Sequence, residues 1–97
     1  MPELQRDPDP SLRAIRALRL PDLYREQAEN LLRNIFLAHE AGRAGDADAP
    51  GLVRESKGRG TGFALGLLVG KRIDPNAAAR LSEIFRAAAD DEQVASE

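Results

Sequence analysis

Gly58-Arg59-Gly60-Thr61-Gly62-Phe63-Ala64-Leu65-Gly66-Leu67-Leu68-Val69-Gly70 is the most glycine-rich segment of this chain. Six of the chain's eight glycines fall between positions 51 and 70. Each glycine inside a helix costs about 1 kcal/mol relative to alanine, so the segment either breaks or is held helical by packing. The spacing favours packing. Gly58, Gly62, Gly66 and Gly70 recur every four residues, which stacks them on a helix as one slowly turning ridge. A ridge without Cβ atoms lets another backbone approach closely, as small-xxx-small contacts do.

Two seams run along this helix. Leu52, Ser56, Gly60, Phe63, Leu67 and Gly70 form one, expected to face the preceding helix in an antiparallel hairpin. Gly58, Gly62, Leu65, Val69 and Ile73 form the other, on a different side. A helix apolar on more than one side is normally buried between neighbours. The helix that follows can cover only part of the second seam, and a second copy of the protein can cover the rest. Gly58, Gly62, Leu65, Gly66, Val69 and Ile73 are therefore the candidate interface. The expectation is a close-packed ridge, within one chain or between two, so that Gly62→Ala and Gly66→Ala both destabilise through overpacking.

Upstream, Pro21 and Asp22 suit the first turn of a helix. Tyr24, Ala28, Leu31, Ile35 and Ala38 then recur in steps of four and three, widened by Leu32, Phe36 and His39. Arg25, Glu29 and Arg33 read as an i, i+4 ladder on the outside of this helix, and Gly42 as its stop. Before it, Ser11 caps a short helix through residue 20, with Leu12, Ala14, Ile15 and Leu18 on one side. Arg13, Arg16 and Arg19 share the other side as a basic edge, and Pro21 disfavours helical geometry at Leu20.

Residues 42–49 read as a flexible connector, after which Pro50 opens the glycine-rich helix, running to about residue 73. Asp74-Pro75 is an N-cap followed by a first-turn proline. It opens a last helix through about residue 89, with Leu81, Ile84, Phe85 and Ala88 inward. Residues 1–10, with prolines at 2, 8 and 10, read as a mobile arm. Residues 91–97 read as an acidic frayed tail, and residues 11–90 as the single helical domain. The fold class is all-α: a long helical hairpin with two shorter flanking helices, as a dimeric bundle.

Ninety-seven residues make one domain, and 42% hydrophobic with 31% charged residues is a globular composition. Only four residues are aromatic, so the core is aliphatic. A net charge of −2 gives no bulk attraction to nucleic acid or anionic membranes. The absence of cysteine excludes disulfides, thiolate metal sites and cysteine nucleophiles. The N-terminus has no signal-peptide core, and the longest uncharged run, residues 60–70, is far too short to span a bilayer. A cytoplasmic setting without membrane contact is expected.

No catalytic chemistry stands out. Gly58-Arg59-Gly60-Thr61-Gly62 lacks the Gly-Lys-Ser/Thr ending of a phosphate loop and the strand before a dinucleotide loop. His39 stands alone, with no second ligand at metal spacing. No enzyme, metal or cofactor is expected. The reading is a small regulatory or adaptor protein, of the inhibitor or antiactivator kind, that binds itself as a homodimer and another protein. The alternative is a nucleic-acid-binding transcriptional regulator. It would use the Arg13, Arg16 and Arg19 edge, or a helix-turn-helix-like pair whose second helix offers Asn76 and Arg80 near its start.

Overall fold

A computed structural model describes the backbone of residues 10–95 and the side chains of residues 10–90. The described residues form four helices: α1 Pro10–Ala17, α2 Asp22–Arg43, α3 Ala49–Val69 and α4 Pro75–Ala95. No strand occurs among the described residues. The expected mobile arm lies outside them except for Pro10, which opens α1. The expected tail overlaps the end of α4, where no side chain is described.

The helices start and stop for local reasons. α1 ends earlier than its sequence pattern implies, because Arg19 adopts a left-handed backbone (φ 57°). Its N–H donates to the Arg16 carbonyl at 3.1 Å, and the turn folds Leu20 into the core. At the end of α2 the stop is Gly45, not Gly42. Asp46 N–H donates to the Ala41 carbonyl at 2.9 Å and Gly45 N–H to the Gly42 carbonyl at 3.0 Å. That pair is a Schellman motif, and Gly45 takes its left-handed position (φ 96°). Gly42 serves a different purpose: a Cβ there would stand 3.2 Å from Ala49 Cβ at the start of α3. The connector shrinks to residues 44–48.

α3 is continuous through every one of its glycines. It ends at Val69, short of Ile73, in a second Schellman motif. Here Arg72 N–H donates to the Leu67 carbonyl at 2.8 Å, and Lys71 N–H to the Leu68 carbonyl at 3.0 Å. Lys71 occupies the left-handed position (φ 56°), which strains any residue with a Cβ. The turn brings Ile73 back against the core. Asp74 caps α4 as its sequence implies: its Oδ2 accepts from Asn76 N–H at 2.9 Å.

The core joins all four helices. Ile15 and Leu20, then Ala28, Leu32, Ile35 and Ala38 of α2 meet Val53, Ala64 and Leu67 of α3 and Leu81, Phe85, Ala88 and Ala89 of α4. The most extensive packing is α2 on α3, followed by α3 on α4. At about 25 cal/mol per Å² of apolar surface removed from water, this layer, aliphatic but for the Phe85 ring, is the main stabilising term.

Candidate interaction surface

α3 divides the molecule into a closed side and an open one. On the closed side, Gly60 lies under the fully buried ring of Phe85 from α4. A Cβ at Gly60 would stand 2.5 Å from Phe85 Cγ and 2.8 Å from Cδ1 and Cδ2, so only glycine fits there. The seam expected to face α2 is therefore turned. Gly60 faces α4, while Leu52 and Gly70 lie exposed. The helix's buried positions are Ala49, Val53, Gly60, Ala64 and Leu67.

On the open side lie the candidate interface residues other than Ile73, which the turn after α3 carries to the core. Cβ atoms built at Gly58, Gly62 and Gly66 would meet nothing within 4 Å. Gly70 meets only its own turn, the Gly66 carbonyl at 3.3 Å and the Arg72 side chain at 3.4 Å. Within one protomer the ridge is thus no close-packed contact, and the expected overpacking at Gly62 and Gly66 has no neighbour to cause it. Leu65 is 58% exposed and Val69 73% exposed; Ile73 is half-buried. Thr61 Oγ1 donates back to the Gly58 carbonyl at 3.2 Å, as helical threonines do.

Between α3 and α4 runs an open groove of about 540 Å³. Its α3 wall includes Gly58, Thr61, Gly62, Leu65 and Leu68, and its α4 wall includes Ala78, Ala79, Ser82, Glu83 and Arg86. Two further apolar side chains stand in solvent on α2, Leu23 and Leu37, each 61% exposed.

The basic edge is not a free edge. Arg16 reaches from α1 to α2, where its Nε donates to Glu29 Oε2 at 3.0 Å and its Nη2 to Oε1 at 3.5 Å. Arg25 and Arg33 approach the same carboxylate at 3.6 and 3.7 Å. Glu29, expected on the outside, is 5% exposed because α1 covers it. The hydrogen bond from Arg16 holds its carboxyl below the usual range; burial pushes the other way, and the charges of Arg16, Arg25 and Arg33 add to the lowering. Arg13 and Arg19 are exposed. Along α3, Arg59 pairs with Glu55 one turn before it at 2.9 Å.

His39 is buried, and its Nε2 has no hydrogen-bond partner among the described residues. Among those residues no three His, Cys, Asp or Glu side chains converge on one point that could hold a metal ion. No described helix is long and apolar enough to cross a membrane. Asn76 and Arg80 lie exposed at the start of α4. Compared with models of protein families, with curated proteins and with solved structures, the chain matches none.

Proposed function

We propose that this chain is a small non-enzymatic regulatory or adaptor protein that acts by binding another protein, in the manner of an inhibitor or antiactivator. In this reading α2 and α3 form the hairpin of a dimeric bundle working in the cytoplasm. One observation carries it: Leu23, Leu37, Leu65 and Val69 are each more than half exposed on a domain with a small aliphatic core. Large apolar side chains left in water in rows on helices are the material of helix-docking interfaces.

The test is capture from the native host with the intact chain. One protein recovered at fixed stoichiometry, and lost with Leu23→Glu/Leu37→Glu or with Leu65→Glu/Val69→Glu while circular dichroism stays helical, supports the reading. Capture indifferent to both pairs, or no protein at fixed stoichiometry, overturns it.

The nucleic-acid-binding reading draws on the short connection between α3 and α4 and on exposed Asn76 and Arg80. It is the weaker one, since Arg16 is engaged with Glu29 and the chain carries net negative charge. Heparin retention that collapses with modest salt would favour it.

A further inference from the structure

The outward face of α3 carries two holes and two knobs at one common spacing. Gly58 and Gly62, a turn apart, leave room where a Cβ would meet nothing within 4 Å. Leu65 and Val69, also a turn apart, are the most exposed large apolar residues of the helix. At 100° per residue, all four fall within an arc of roughly 60°. Set an antiparallel copy of α3 against this face with Leu65 over Gly62 of the second copy. Val69 then falls on Gly58 of the second copy. A two-fold axis repeats both contacts, because an isologous interface uses the same patch twice.

Charge follows the same register. Exposed Arg72, just past the end of α3, comes level with Glu55 of the second copy, an exposed carboxylate near the start of the helix that Arg59 of its own chain engages from one side. A parallel copy would instead set Glu55 beside Glu55 and Arg72 beside Arg72, which like-charge repulsion disfavours. An unrelated helix has no reason to match knob, hole and charge together; a second copy matches all of them by symmetry.

We propose that α3 docks antiparallel on α3 of a second copy, with Leu65 seated on Gly62, Val69 on Gly58, and Arg72 facing Glu55. This rests on the reading of the chain as a dimeric protein-binding bundle. The experiment is size-exclusion chromatography with light scattering on the purified full chain at low micromolar concentration. The unaltered protein runs as a dimer. Gly62→Leu, at a position where a Cβ meets nothing within 4 Å, keeps the helical circular dichroism signal and runs as a monomer; Val69→Asp does the same by a second route. Arg72→Glu weakens the dimer by about tenfold, and adding Glu55→Arg restores it, because the opposite charges meet again. A dimer that tolerates both Gly62→Leu and Val69→Asp overturns this face and leaves the dimeric reading standing. A monomeric unaltered protein removes both. A double charge reversal that binds no better than Arg72→Glu alone refutes the register.

Discussion

α2 and α3 are nearly equal in length, 22 and 21 residues, and each inverts the simple rule of what goes inside. α2 buries a glutamate and leaves two leucines in water. α3 buries a glycine and leaves Leu65 and Val69 in water. The reasons differ. Glu29 is enclosed because three arginines bring donors and positive charge to it, which compensates for desolvation. Gly60 is enclosed because the Phe85 ring needs the volume a methyl would fill. At these two positions burial is decided by what the neighbouring helix presents, not by the residue's own affinity for water.

Gly60 is the position most sensitive to an added methyl. Gly60→Ala should destabilise by about 1–3 kcal/mol, since the buried ring has to move. Gly60→Ala/Phe85→Leu should recover part of that loss, which urea denaturation of the four proteins of the cycle would measure. Additive losses would mean that the ring and the glycine are not coupled.

Glu29→Gln comes next, smaller because the clasping arginines remain largely in water. The folded state lowers the Glu29 pKa from its ordinary 4.5. The clasp therefore contributes fully above that value, and its contribution fades as pH falls below it. Expected are reduced stability at pH 7 and a shallower loss of stability between pH 5 and pH 2, followed by denaturation at a series of pH values. An unchanged acid slope would show that α1 is held by Ile15 and its apolar neighbours alone.

The smallest change has the opposite sign. Gly66→Ala, and Gly62→Ala in a Leu65→Asp background that removes the knob, should each stabilise the protomer by up to about 1 kcal/mol. They gain helix propensity and meet no neighbour. Loss of stability at both positions would restore a buried contact to the open side.

Much of the architecture is legible in the residues. Periods near 3.6 and the lack of alternating apolar runs give the helical class. Pro21 and Asp74 place the starts of α2 and α4, and Leu81, Ile84, Phe85 and Ala88 give the inward face of α4. The orientation of α3 is not legible in the same way. Its buried row passes through Val53, Gly60, Ala64 and Leu67, but half-buried Lys57 interrupts it and glycine adds no apolar signal. The outward row of Gly58, Gly62, Leu65 and Val69 looks at least as apolar, so periodicity alone cannot rank the two. Glu29 is hidden for a related reason. It sits in a charge ladder that is complete within α2, and only the return of α1 through the left-handed turn at Arg19 covers it.

The ring of Phe85 over Gly60 also sets an order of events during synthesis. α3 contains five glycines, at positions 51, 58, 60, 62 and 66, which together forgo about 5 kcal/mol of helix propensity relative to alanine. A segment so poor in intrinsic helicity does not stay helical in water by itself. The ribosome releases α3 before α4, so the glycine segment emerges while its ring is still inside the exit tunnel. A chain stalled with Phe85 unreleased should hold α1 and α2 as nascent helices and leave α3 open to proteases. Its consolidation then waits until Phe85 has left the tunnel.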